Sequence, residues 1–112
     1  MDFELESQWR KVLAFFEPDH GKLDVSSVLF LIGIQELGKG FIKLSKDKKL
    51  EVMHIGVCTV LVPYGYYEPL GEDKDGWPHF ENLKKLPALN NDEQQRLMKE
   101  AVVKYFKSQE VI

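Results

Sequence analysis

The sequence has one cysteine among its 112 residues, and this shortage excludes a disulfide scaffold. No stretch combines a basic start, a short apolar segment and a cleavage site, so no secretory signal is recognised. We therefore expect a cytoplasmic location, where a lone thiol stays reduced. The length predicts a single domain over residues 1–112, large enough to bury a core without covalent cross-links.

Basic charge and long apolar runs are also scarce. The formal net charge is −3, which argues against nucleic acid as a partner because phosphate contacts need a basic face. The two most apolar runs, residues 25–37 and 50–62, are shorter than the roughly 20 residues that span a bilayer. We therefore expect no membrane partner.

Familiar catalytic and metal-binding patterns are missing. The sequence has no glycine-rich phosphate loop, no nucleophile elbow and no paired-carboxylate signature. The segment Glu72–Gly76 suggests a calcium loop, but aligning Gly76 with the sixth position puts Gly71 first and Asn82 twelfth, where Asp and Glu are needed. We expect a solvated turn there and no cofactor, and the sequence as a whole favours a protein that is not an enzyme.

Helical signals dominate what is present. The predicted helices are a first capped by Asp2 and ended by Pro18, a second from Val25 to Leu37, a third from Lys46 to Val62 and a last one after Asn90. Gly33 and Gly56 lie in the middle of the two most apolar helices, where each would cost about 1 kcal/mol relative to Ala. Close approach of two helix backbones is the expected reason for both.

The run from Leu50 to Val62 fits a strand as well as a helix. Its six β-branched residues favour a strand, whereas its length does not, because no turn signal appears from Ser45 to Val62 and buried strands usually span about four to eight residues. Ser45 suits a helix N-cap and Pro63 suits a stop. We interpret residues 46–62 as a helix, with a strand over residues 50–62 as the alternative.

Residues 63–90 hold four of the five prolines and are predicted to form a long loop. Pro78 at a first helical position suggests a short helix that Pro87 ends. Asn90 followed by Glu93 has the spacing of a capping box. The predicted fold class is all-α: a single-domain bundle of four main helices plus a short helix in a long loop, with α+β as the alternative if residues 50–62 form a strand.

Two residues of the third helix carry chemistry. His54 and Cys58 are four residues apart and share a helix face, which gives half of a zinc site or a nucleophile with its base. A further ligand such as His79 would have to complete a metal site. An ordinary core cysteine with a hydrogen-bonded histidine is the simpler interpretation. A small metal- or thiol-dependent enzyme centred on these three residues is kept as the alternative function.

The proline-rich loop also concentrates aromatic side chains, which suit a binding surface because they offer rigid apolar area with a polar group. The candidate binding residues are Tyr64, Tyr66, Tyr67, Trp77, His79 and Phe80. The same side chains could instead anchor the loop on the body of the domain. We expect a non-enzymatic interaction module or small-ligand binder, with a homodimer or an unidentified protein as partner.

A third hypothesis concerns Lys39–Lys49, where five lysines could contact an anion or nucleic acid. A solvated loop and helix start is the favoured interpretation of these lysines.

Four motifs support a wider resemblance: LFLIGIQELG (residues 29–38), MHIGVC (53–58), PYGYY (63–67) and GWPH (76–79). Together they resemble a family of small uncharacterised bacterial proteins thought to be helical. The resemblance implies a helical fold and no catalytic residue.

Overall fold

The computed structural model describes residues 3–39 and 43–112. The elements are α1 (Phe3–His20), α2 (Val25–Leu37), α3 (Lys46–Leu61), a short 3-10 helix (Val62–Tyr64), β1 (Tyr67–Glu72), β2 (Pro78–Asn82) and α4 (Asn91–Ser108). Because β1 and β2 form an antiparallel sheet, the class is mixed α+β and the all-α prediction is wrong. Within the described ranges, no helix has both the length and the apolar character needed to cross a bilayer.

The chain divides into two compact units, one of residues 1–25 and 89–112 and the other of residues 26–88. In the first unit, α1 continues through Pro18 to His20, so the predicted stop at Pro18 is wrong. The helix ends where Gly21 adopts φ +70° and donates its N–H to the carbonyl of Glu17, 2.9 Å away. A left-handed residue after the last turn is a common helix terminator. The predicted cap Asp2 lies outside the described residues.

Helix α4 begins as its sequence predicts. The Asn90 side chain accepts the Glu93 N–H at 2.8 Å, and the Glu93 carboxylate accepts the Asn90 N–H at 3.1 Å, which completes the capping box. Phe106 of α4 packs edge-on against Phe16 of α1, with ring centroids 5.6 Å apart. The apolar stripe of α4 therefore packs against α1 through aromatic side chains.

In the second unit, α2 and α3 are in backbone contact at their two central glycines. A Cβ added at Gly33 would collide with the carbonyl oxygen of Val52, and one added at Gly56 would collide with that of Leu29. Because position 33 meets 52 and position 29 meets 56, the helices run antiparallel. The predicted close approach of the two helices is confirmed, and no larger side chain fits at either glycine without separating them.

The helical interpretation of Lys46–Val62 is confirmed to within one residue, and the strand alternative for residues 50–62 is wrong. Ser45 has extended backbone angles and its hydroxyl accepts the Lys48 N–H at 3.2 Å, as an N-cap should. The Thr59 hydroxyl donates a hydrogen bond to the carbonyl of Ile55 at 2.7 Å, so the polar group of this β-branched residue is hydrogen-bonded within the helix. Capping and length therefore outweigh β propensity here.

The segment predicted as a loop with a short helix is instead a β-hairpin. Asp73 and Gly76 close a four-residue turn in which the Gly76 N–H donates to the Asp73 carbonyl at 3.0 Å and Gly76 takes φ +82°. Asp at the first position and Gly at the fourth are the residues that such a turn favours. Pro78 starts β2, where a missing N–H is tolerated at a strand's first residue.

Candidate functional site

Trp77 attaches the hairpin to the helical part of its unit. The indole is partly buried against a core cluster of three buried residues, Ile34 and Leu37 of α2 and Val52 of α3. Apolar burial of a large ring is worth several times a surface hydrogen bond. The predicted anchoring of this segment by an aromatic residue is therefore visible at Trp77, directly beside the tip of the hairpin.

Asp73 organises the turn that precedes Trp77. One carboxylate oxygen accepts the N–H groups of Asp75 at 2.9 Å and of Trp77 at 3.0 Å, and the other lies 2.9 Å from Nε2 of His79. The hydrogen bond from His79, supported by the N–H of Trp77, lowers the pKa of Asp73 to about 2. The carboxylate is therefore ionised at neutral pH, and it fixes the orientation of the His79 imidazole.

A groove of about 550 Å³ lies between α3 and the hairpin tip. Its apolar walls come from Leu50 and Ile55 of α3 and from Trp77 and Pro78. Polar side chains line the rest of the groove: Lys48, Glu51, His54, Asp73, Asp75 and His79. The volume lies within the range of about 300–1,000 Å³ that small-molecule sites occupy, and apolar walls with a few converging polar groups are their usual composition.

Two lysines lie near the Trp77 ring at one edge of this groove. The Lys48 ammonium is 4.9 Å from the ring centroid and 3.1 Å from the Glu51 carboxylate, and the Lys39 ammonium is 5.8 Å from the centroid and donates to the Asp75 carbonyl. Lys48 and Glu51 are each about half exposed, so their pairing contributes little to stability. The side chains of Lys48 and Glu51 can therefore move aside for a ligand at low energetic cost.

His54 connects the groove to the buried cysteine. Its Nε2 lies 3.4 Å from the Cys58 sulfur, and its ring packs edge-on against Tyr67 with centroids 6.1 Å apart. Burial raises the pKa of Cys58 to about 11, so the thiol stays protonated at neutral pH. Nucleophilic and metal-binding cysteines need the thiolate. The environment of Cys58 therefore favours a structural thiol that hydrogen-bonds to His54.

The metal hypothesis would need His79 beside the His54–Cys58 pair. His54 and His79 both line the groove, but His79 is held by Asp73. Within the described parts of the chain, no three His, Cys, Asp or Glu side chains are grouped closely enough to hold one metal ion. The two imidazoles are instead available as hydrogen-bonding groups toward the groove.

The six predicted binding residues are divided by the hairpin geometry. Trp77 and His79 line the groove, whereas Tyr64, Tyr66, Tyr67 and Phe80 are not among its lining residues. Tyr66 is partly buried beneath the Lys84 ammonium, 4.6 Å from its ring centroid, and burial raises the pKa of Tyr67. The continuous aromatic surface expected from the sequence is thus reduced to two residues at the groove.

Sequence reasoning named His54 on the α3 side of the groove, but it missed the other residues of that wall and the role of Asp73. Lys48, Glu51 and Ile55 recur at three- and four-residue steps, so they share one helix face, and this was detectable in the sequence. The segment Asp73-Lys74-Asp75-Gly76 was correctly expected to form a turn, but it was not recognised as the turn of a hairpin. That recognition would have placed Trp77 and His79, two residues apart, on one face of the returning chain.

A second groove, of about 260 Å³, lies in the first unit between α1 and α4. It is lined by Glu4, Leu5, Gln8, Glu100, Val103, Lys104 and Lys107. This groove has neither an aromatic wall nor an imidazole, and its volume is below the usual range for ligand sites. It therefore serves as an internal reference for the groove beside α3.

No protein-family model, curated protein or solved structure matches this chain. The candidate site therefore depends on its own geometry and chemistry.

Proposed function

We propose that this protein is a non-enzymatic binding module that takes a small polar, partly aromatic ligand in the groove between α3 and the hairpin. The observation that carries the proposal is the convergence of one indole and two imidazoles on a groove of about 550 Å³. Aromatic walls supply contact area, and a few fixed polar groups supply orientation, which together are the ordinary requirements of a ligand site.

The two histidines have different roles in this proposal. Asp73 holds His79 by the 2.9 Å contact, so His79 presents a preoriented ring to the ligand. His54 is oriented by Cys58 and Tyr67. Preorganised partners lose little conformational entropy on binding, which favours affinity. The ligand's flat part packs against Trp77 and Leu50, and its polar part bonds to the imidazoles.

The groove side chains favour binding over catalysis. A thiol with a pKa of about 11 does not provide a nucleophile at neutral pH, and His54 contacts that thiol through Nε2, which leaves its other ring nitrogen for the ligand. Asp73 has three hydrogen-bonding partners, so its carboxylate serves to position the turn rather than to accept a proton. We place the module in the cytoplasm, where the Cys58 thiol stays reduced.

Backbone amide NMR with a set of aromatic amines and aromatic carboxylates tests the proposal. Binding compounds should shift the signals of Glu51, His54, Trp77 and His79, because these residues line the groove. Replacing His54 by Ala should abolish the shifts, since it removes one orienting group while leaving the hairpin's own hydrogen bonds in place.

Tyr66→Phe is the matched control, because Tyr66 lies on the same hairpin unit but outside the groove, and binding should be unchanged. Shifts that map instead to the groove between α1 and α4, or binding that persists at full strength in His54→Ala, would contradict the proposal.

A further inference from the structure

The hairpin has two outer edges, and they differ in how well they are protected. In β1, Pro69 lacks an N–H and the pairing skips one residue between Pro69 and Gly71, so this edge is interrupted by a bulge. In β2, only the first residue is a proline. Within residues 3–39 and 43–112, no other strand is hydrogen-bonded to the outer side of β2.

The hydrogen bonds at both ends of the hairpin define which β2 residues face outward. The pairs Asp73–Trp77 and Tyr66–Leu83 are hydrogen-bonded, at 3.0 and 2.9 Å. Hydrogen-bonded and non-hydrogen-bonded pairs alternate in an antiparallel ladder. The N–H and C=O groups of Phe80 and Asn82, with the C=O of Pro78, therefore point away from β1. Such an edge is a template for another strand.

These groups allow two antiparallel registers between β2 and a second copy of itself, each with four hydrogen bonds. One register is centred on Phe80 and places His79 opposite Glu81 of the second copy, twice by symmetry. The other is centred on Glu81 and places Glu81 opposite its own copy. Two facing carboxylates repel, and only the Phe80-centred register avoids that pair, so charge selects the Phe80-centred register.

A feature within one hairpin supports the same choice. Glu68 of β1 lies directly opposite Glu81 of β2, and both side chains are exposed. Like charges in facing positions destabilise a sheet. In the Phe80-centred register, the side chain next to Glu81 on its free side is His79 of the second copy, whereas the Glu81-centred register would align four carboxylates across the two hairpins. His79 is itself exposed, so this position is open to a second copy.

We propose that β2 pairs antiparallel with β2 of a second copy of this chain, centred on Phe80, to form a four-stranded sheet across a two-fold axis. The interface is small, so the association is weak and depends on protein concentration. This inference does not require a ligand in the groove, and the two proposals can fail separately.

Sedimentation equilibrium over a range of concentrations, together with amide hydrogen exchange, tests the pairing. Exchange at the Phe80 and Asn82 N–H groups should slow as concentration rises, while exchange at Glu81, whose N–H already faces β1, should change little. His79→Glu should weaken association about tenfold, because it places a carboxylate opposite Glu81 of the second copy, twice by symmetry.

His79→Lys is the matched control. It removes the same imidazole and the same contact with Asp73, but it places an ammonium opposite Glu81 of the second copy, so it should strengthen association. A mixture of Glu81→Lys with His79→Glu should associate more strongly than either variant alone, since the new ammonium of one chain then faces the new carboxylate of the other.

Three results would overturn the proposal: a chain that stays monomeric at every concentration, a dimer that His79→Glu does not weaken, or a dimer in which the Phe80 N–H exchanges as freely as in the monomer. Circular dichroism on each variant separates loss of pairing from loss of folding. Capture of a different extended peptide by a monomeric chain would also assign the edge to another partner.

Discussion

The α2–α3 helix pair and the β-hairpin belong to the same compact unit but are held in different ways. The helices meet backbone to backbone at Gly33 and Gly56, with no space for one added carbon. The hairpin contacts the cluster of Ile34, Leu37 and Val52 through Trp77, and its turn is ordered by Asp73. The helix pair is therefore a rigid part that tolerates no added atom at its contact, whereas the hairpin is held by a partly buried indole and a hydrogen-bonded turn, where a change should have a smaller and more local effect.

The largest expected effect is in the rigid part. Gly33→Ala should lower the free energy of unfolding by about 3 kcal/mol or more, because the new methyl group collides with the Val52 carbonyl and overpacks the contact. In an unconstrained helix the same change would raise stability by about 1 kcal/mol, so the sign alone is informative. Urea unfolding measures it, with Gln35→Ala on the exposed side of α2 as the control. A stabilised Gly33→Ala would refute the close contact.

Trp77→Ala should have a smaller and more local effect. Removing a half-buried indole should cost about 2 kcal/mol, below the usual range for fully buried aromatics. Because the helix pair does not depend on Trp77, helical circular dichroism should persist while amide exchange in β1 and β2 accelerates. Leu70→Ala removes an exposed side chain from the same hairpin and should be near neutral. Equal acceleration in α2 and α3 would show that the hairpin is part of the rigid core.

Ser45→Ala tests how much the start of α3 depends on its cap. Loss of the hydroxyl that accepts the Lys48 N–H should cost about 1 kcal/mol. Ser45→Asp keeps an acceptor at the same place and should retain most of the stability. Thermal unfolding of both variants gives the answer, and identical melting temperatures for Ala and Asp would exclude the cap as a source of stability.

The smallest expected effect is the acid response of the hairpin turn. The folded-state pKa of Asp73 is lowered from 3.8 to about 2, so its stabilising contribution is complete above about pH 4 and is lost as the pH falls toward 2. Trp77 fluorescence should report loosening of the turn over this interval. Asp73→Asn should remove the transition, whereas Asp75→Asn, which contributes only backbone groups to the turn, should keep it. An unchanged transition in Asp73→Asn would assign it to another group.

What could be predicted from the sequence was mostly local. Caps are local, and the structure confirms Ser45 and Asn90 as the N-caps of their own helices. A glycine in the middle of an apolar helix indicates a close contact that a larger residue would prevent, and the structure confirms this at Gly33 and Gly56. The hairpin was missed because Pro69 and Gly71 interrupt β1, so no apolar alternation marks it as a strand. The end of α1 was missed because Gly21, three residues after Pro18, is the actual terminator.

The groove could not be deduced because its walls are distant in sequence. His54 and Trp77 line the same groove only because the indole reaches the cluster of Ile34, Leu37 and Val52. No spacing rule connects these positions, since the contact depends on how the hairpin packs on α2 and α3. Residue types could indicate an aromatic binding surface, but only the tertiary arrangement separates Trp77 and His79 from the tyrosines.

The most direct test of the central claim is crystallographic soaking of the protein with aromatic amines and aromatic carboxylates. Our account predicts that bound compounds collect in the groove between α3 and the hairpin, stacked on Trp77 and hydrogen-bonded to His54 or His79. Compounds that collect between α1 and α4, or that leave the Trp77 groove empty at saturating concentration, would contradict it.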